Sequence, residues 1–139
     1  MIIQTITWQQ SLPIRHKVLW PNKPEIFCQI EEDKDANHYG VFIDEQLVCV
    51  ASLYTKTINR VTRVRLRKFA TLKEFQEKGV SNKLLEHMIL DLKAKGTHYL
   101  WCDVRRNATE FYKASGFKCL GNEFYKLDEA YSKMELKLN

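Results

Sequence analysis

The chain has 139 residues, 45% of them apolar and 12% aromatic, with a formal charge of +5 at pH 7 and an isoelectric point near 9.0. That length predicts one domain over residues 1–139 with a core of its own, and only five Gly and three Pro exclude a disordered or fibrous chain. No apolar stretch approaches the about 18 residues of a membrane span, and residues 1–20 carry no basic leader followed by an apolar block, which predicts a cytoplasmic protein with no membrane partner.

The four cysteines, Cys28, Cys49, Cys102 and Cys119, stand far apart, without the close pairing of zinc or redox motifs. They read as buried free thiols, and no metal is expected. The positive charge favours an anionic partner: nucleic acid, a phosphorylated cofactor or an acidic substrate. Charge alone does not choose among them.

In chain order, Ile2, Ile3 and Ile6 form a short strand, and Thr7 with Gln10 has the spacing of a capping box that starts a helix carrying Ile14, Val18 and Leu19 on one side. Pro13 is expected in its first turn, where a missing N–H costs little. The acidic run at residues 31–35 reads as a solvated loop. Residues 38–43 and 46–54 are β-branched and aromatic runs on either side of Asp44-Glu45, the pattern of a hairpin. In the next strand, residues 61–70, Val64, Leu66 and Ala70 alternate with Arg63, Arg65 and Arg67, and Phe69 falls on the arginine face.

After residues 71–78 comes Gly79. Val80, Leu84, Leu85, Met88, Ile89 and Leu92 then recur at helical spacing until Gly96 stops them. Residues 99–102 read as a buried strand. Asn107 with Glu110 predicts a capped short helix holding Phe111 and Tyr112, stopped at Gly116, with Phe117 packing back. Two strands close the chain, at residues 119–125 and around Met134, Leu136 and Leu138. The order β-α-hairpin-strand-α-β-α-β-β predicts an α/β layered fold: a mixed, mostly antiparallel sheet with helices on both faces.

A helix N-terminus exposes unpaired amides and a partial positive charge, and a glycine before it lets a pyrophosphate approach the backbone. Gln76-Glu77-Lys78-Gly79-Val80-Ser81 is such a turn. It is neither a Walker loop nor a three-glycine dinucleotide fingerprint. The stretch from Phe69-Ala70-Thr71 to Ser81 resembles the acetyl-CoA motif of the GNAT (general N-acetyltransferase) superfamily, a strand end followed by Gln/Arg-x-x-Gly-x-Gly/Ala, with Ser81 in place of the last small residue. Ala108, Phe111-Tyr112 and Gly116-Phe117 are similar to the family's second motif, with Arg105 where an Asn is usual. The first helix and hairpin also look like those of small GNAT proteins, so the resemblance spans nearly the whole chain.

The resemblance implies an acetyl-CoA-dependent N-acetyltransferase. It implies that the backbone of Phe69, Ala70 and Thr71 pairs with the pantetheine arm, that the turn formed by Gln76, Glu77, Lys78, Gly79, Val80 and Ser81 holds the pyrophosphate, and that the Tyr112 phenol donates a proton or a hydrogen bond to the departing thiolate. The Ser81 hydroxyl and Arg105 are each expected to reach a phosphate oxygen. The acceptor implied is a small-molecule amine, and Arg65 and Arg67, on Phe69's face, would favour an anionic one. The general base is open among Asp103, Glu31, Glu32, Asp33, His16, His38 and ordered water. A non-catalytic acyl-CoA sensor on the same fold is the alternative. Nucleic acid is the least favoured partner, because Lys and Arg are scattered and no recognition motif is present. A homodimer is left open.

Overall fold

The structure is a computed structural model that describes all 139 residues. Seven strands form one sheet in the order β1-β2-β3-β4-β5-β7-β6. They are β1 (Ile2–Ile6), β2 (Asn37–Ile43), β3 (Gln46–Ile58), β4 (Val61–Thr71), β5 (Tyr99–Arg105), β6 (Lys118–Lys126) and β7 (Glu129–Lys137). The helices are α1 (Trp8–Leu19), α2 (Val80–Ala94) and α3 (Thr109–Lys113). The order of elements is the one the sequence predicts. Contacts divide the chain into two compact units: Met1–Tyr54 with Leu66–Met88, and Thr55–Arg65 with Ile89–Asn139.

In the first unit, β1 pairs antiparallel with β2 and β2 with β3. Six consecutive residues of β3, from Val48 to Leu53, are buried. Successive side chains point to opposite faces, so both faces of this strand are covered. On one face Ser52 receives a hydrogen bond from Arg15 of α1. On the other, Cys49 receives one from Thr71, whose hydroxyl also bonds Ser81 of α2. Helices α1 and α2 therefore lie on opposite faces. Leu84, Leu85 and Met88 of α2 are fully buried, each contributing about 1.5–3 kcal/mol. Gly40 of β2 is where another residue would not fit, because a Cβ there would meet Leu47 Cδ1 at 2.6 Å and Ile6 Cγ2 at 3.0 Å.

Helix α1 starts with the expected box: Thr7 Oγ1 accepts from Gln10 N–H, and Gln10 Oε1 from Thr7 N–H. With Trp8 as its first residue, however, Pro13 lies in the helix interior and not in the first turn. The residues expected to form a solvated loop make a 3-10 turn, Glu31–Asp35, and Asp33 is buried. Arg15 is the reason. Its guanidinium is fully buried, and its Nη1 and Nη2 donate to Asp33 Oδ2 and Oδ1 at 2.8 and 3.0 Å. Ile30 N–H and Tyr54 Oη donate to the same carboxylate, at 2.8 and 2.6 Å. A buried ion pair of this kind persists when its other lone pairs and protons are bonded, and here, of the Arg15 and Asp33 side-chain groups, only the Arg15 Nε–H lacks a partner.

In the second unit, β4 pairs in parallel with β5 over Arg63–Arg65 and Tyr99–Trp101, while β5 and β6 both pair antiparallel with β7. Strand β5 runs on to Arg105, and only Leu100, Cys102 and Val104 are buried; the expected all-buried strand is one-sided. The last turn of α2 closes as a Schellman motif, with Gly96 N–H on Lys93 O, Thr97 N–H on Leu92 O, and Gly96 at φ +81°. Helix α3 starts without the Asn107 cap. A 3-10 turn, Arg106–Ala108, precedes it, and Thr109 Oγ1 donates to Arg106 O. Cys28, Cys49 and Cys102 are buried and free, whereas Cys119 is exposed, on strand β6, whose surface is mostly open.

Candidate active site

The strand end and turn singled out in the sequence are joined in the first unit by a chain of side-chain hydrogen bonds. Gln76 Nε2 donates to Thr71 O at 2.9 Å, and the Thr71 and Ser81 hydroxyls are 2.7 Å apart. Thr71 in turn donates to Cys49 Sγ. Either hydroxyl can be the donor in the Thr71–Ser81 pair, and through it the Ser81 side chain braces the helix to the strand. Gln76 braces the loop in the same way.

Between these braces the backbone is left-handed at Glu77 (φ +63°) and at Gly79 (φ +77°), with Lys78 between them on the negative side. Such alternation turns successive amides toward one concavity, as in anion-binding nests. The first intrahelical bond of α2 is Lys83 N–H to Gly79 O, 3.1 Å. The amides of Val80, Ser81 and Asn82 consequently have no acceptor one turn back. No acidic residue stands in the first turn, and nothing lies within 4 Å of a Cβ built on Gly79. A diphosphate fits these residues: donors are unpaired, the dipole is favourable, and no side chain blocks the approach.

Tyr112 lies in the second unit, on α3. Its ring packs edge-on against Phe111 and Phe117 at centroid distances of 5.0 and 5.3 Å, and Phe117 N–H bonds Tyr112 O as the helix ends at Gly116. Burial, and then the neighbouring Cys102 thiol, push the Tyr112 phenol above its ordinary range, so it stays protonated. No hydrogen bond to a protein group holds the hydroxyl. That proton is available to a reacting group.

The other candidates are placed elsewhere. Asp103 is bridged by Arg65 at 3.1 Å and Lys126 at 3.0 Å. Arg105 is committed to Glu129 and to Tyr131 Oη instead of being free for a phosphate. His38 bonds Ser52 Oγ through Nδ1 and the Asp33 carbonyl through Nε2, and His16 bonds Lys23 O. Asp33 has Arg15 as its partner; burial would raise its pKa, but the hydrogen bonds from Arg15, Tyr54 and Ile30 outweigh that and lower it. Each of these three is hydrogen-bonded in place. Glu31 and Glu32 are exposed.

Strand β4 also departs from simple alternation. Lys68 is left-handed, with φ +56°, the signature of an extra residue that shifts the face of everything after it. Arg67 lies over the Tyr54 ring, on the α1 face, and Lys68 Nζ lies 4.0 Å from the centroid of Trp20, which caps α1. Thr71 points to the α2 face, so by alternation Phe69 shares that face and not Arg67's, contrary to the expectation. Lys68 is the residue that sequence reasoning passed over. Its signal was a second polar residue directly after Arg67, breaking the period of two.

A mixed sheet of this order, with an open amide turn between a strand end and a helix, defines an acyl-CoA-binding acyltransferase. The chain matches the acetyltransferase (GNAT) domain family over residues 22–138 and belongs to it; it is an N-acetyltransferase whose cosubstrate is acetyl-CoA. It is 29% identical over 127 residues to the uncharacterized N-acetyltransferase YitI of Bacillus subtilis (strain 168), covering 88% of this chain and 85% of that one. The fold is similar to that of the ribosomal-protein-S18-alanine N-acetyltransferase from Escherichia coli, with a TM-score of 0.76, 20% identity, and 99% and 93% of the two chains covered. It is also similar to a GNAT family acetyltransferase from Elizabethkingia anophelis with acetyl-CoA bound, with a TM-score of 0.75, 17% identity, and coverage of 99% and 97%. No helix is long and apolar enough to cross a membrane.

Proposed function

We propose that residues 1–139 work as one cytoplasmic domain that acetylates the primary amine of a small acceptor, with the diphosphate of acetyl-CoA held at the amides of residues 77–81. The observation that carries this is the turn itself: left-handed Glu77 and Gly79, braced by Gln76 and Ser81, open onto the unpaired amides of α2. Acetyl-CoA supplies an activated acyl carbonyl. The edge of β4 at Phe69, Ala70 and Thr71 positions its pantetheine arm as an added strand would, and an amide there is placed to stabilise developing negative charge on the carbonyl oxygen.

Tyr112 holds the proton that the departing thiolate takes. Because burial keeps the phenol protonated, its O–H is present over the whole working range of pH as a hydrogen-bond donor to the departing sulfur, which takes the proton as the C–S bond breaks. The acceptor amine must arrive neutral; Asp33, Asp103 and His38 are each already bonded to protein groups, which favours water, or the exposed Glu31 and Glu32, as the carrier of its proton. Arg67 supports an acceptor with a negative charge as well as an amine; Arg65, tied to Asp103 and stacked on Trp101, does not.

The test is release of free thiol from acetyl-CoA over a library of amines, alongside thermal shifts with acetyl-CoA, CoA, and short DNA and RNA. Acetyl-CoA and CoA should stabilise the protein and nucleic acid should not, since a ligand specific to the folded state raises its melting temperature. An absent acetyl-CoA shift would overturn the reading.

A further inference from the structure

We infer that Arg67 and Lys68 together form a subsite for a carboxylate of the acceptor, so that the substrate class is amines that also carry a carboxylate; this deepens the acetyl-transfer reading above and rests on it.

Strand β4 carries four cations, and they divide two and two. Arg63 is paired with Glu135 and Arg65 with Asp103. Arg67 and Lys68 have no carboxylate within 4 Å; each meets only an aromatic ring, Tyr54 and Trp20 respectively. Ordinary alternation would send consecutive residues to opposite faces. The left-handed Lys68 instead sets both on the α1 face, where they stand as adjacent like charges.

The nearby carboxylate does not relieve them. Asp33 already accepts from Arg15, Tyr54 and Ile30. Both cations are half-buried. Lys68 is pushed down to about 8, by burial first, then by Arg67 and Arg15, with Cys28 and Asp33 acting weakly the other way. Two half-desolvated cations held side by side without an anion are unfavourable in the free protein. A carboxylate between them removes the repulsion, and a guanidinium beside an ammonium offers it a fork and a point charge. Trp20, Phe27 and Tyr54 supply apolar walls; Phe27 packs edge-on against Trp20 at 5.6 Å and is exposed.

The experiment compares amine acceptors in matched pairs, each amino acid against the amine of the same skeleton lacking its carboxylate, by thiol release. Wild type should favour the carboxylate member by about 10- to 100-fold in kcat/KM, the scale of a charge-assisted hydrogen bond. Arg67→Ala and Lys68→Met should erase that preference through KM, leaving the acetyl-CoA thermal shift and the turnover of the uncharged partner within about twofold, while Arg67→Lys and Lys68→Arg retain part of it. A preference that survives both truncations, or a wild type that favours the uncharged member, overturns the proposal. Loss of the acetyl-CoA shift in Arg67→Ala assigns the pair to the cofactor and overturns it as well.

A second readout does not depend on turnover. In protein with carbon-13-methylated lysines, N-acetylated amino acids should raise the titration midpoint of Lys68 by at least about one unit, because a nearby anion favours the charged form. A midpoint unmoved across the panel counts against the subsite. An acetyl-CoA shift absent from wild type refutes the acetyl-transfer reading instead.

Discussion

Replacing Asp33 with Ala removes one carboxylate and four hydrogen bonds at once: two from Arg15, one from Ile30 N–H and one from Tyr54 Oη. Arg15 keeps only Cys28 O, Ser52 Oγ and a 3.4 Å contact to Tyr54 Oη, and its charge stays buried with no counter-ion. Breaking one side of a buried pair costs about 3–5 kcal/mol, a large share of the about 5–15 kcal/mol that holds a domain folded. At about 2.1 cal/mol/K per residue, 139 residues give an unfolding entropy near 0.3 kcal/mol/K, so the melting temperature should fall by about 10–17 °C. Calorimetry measures this directly. The double variant Arg15→Met with Asp33→Leu should recover at least half of the loss, since no charge is left stranded. A fall of under about 3 °C in Asp33→Ala, or a double variant no better than the single, would refute the reasoning.

The Asp33 carboxyl is more acidic in the folded state than its ordinary 3.8, so the unfolded chain binds the proton more tightly; the stability it contributes is complete above that value and is lost as pH falls below it. Urea titrations from pH 6 to pH 3 should show a steeper loss in wild type than in the double variant. Gly40→Ala drives a methyl into Leu47 and Ile6 and should cost about 1–3 kcal/mol without changing acetyl-CoA affinity at a temperature where the variant is folded; a neutral substitution would mean the β2 packing is misplaced. Tyr112→Phe should lower kcat by about 100-fold with the acetyl-CoA dissociation constant unchanged. Because burial raises the phenol, no decline in wild-type kcat up to pH 10 should trace to Tyr112, and equal turnover by the two proteins would remove its role.

What could be read in advance was whatever local pattern decides. Helix α2 has apolar spacing and a glycine at each end, and it formed as read, with Val80, Leu84, Leu85, Met88 and Leu92 all buried. The hairpin turn Asp44-Glu45 was marked by two polar residues between β-branched runs; Asn59-Arg60 and Leu127-Asp128 make turns with the same pair of left-handed residues, with nothing as plain to announce them. What failed depended on partners distant in the chain. Asp33 lies in an acidic run that looks solvated, and only Arg15, 18 residues earlier, draws it inside. Nothing next to Ser81 in the chain announced that its hydroxyl would brace Thr71, ten residues earlier. The bulge at Lys68 was half visible, as a broken alternation, but its consequence for Arg67 and Phe69 required knowing which helix covers which face.

The account stands most directly on calorimetric titration of acetyl-CoA into wild type, Gly79→Ala and Gly79→Glu. Glu77 shows that a side chain is tolerated at left-handed φ in this turn, and space is open beside Gly79, so both variants should fold with a penalty of about 1–2 kcal/mol. Alanine should bind within a few-fold of wild type. The glutamate places a negative charge before the phosphate amides, worth about 4 kcal/mol of repulsion at 4 Å near a protein surface, and should weaken binding by at least about 100-fold. A folded Gly79→Glu protein that binds acetyl-CoA as wild type does would contradict the claim that the diphosphate lies there.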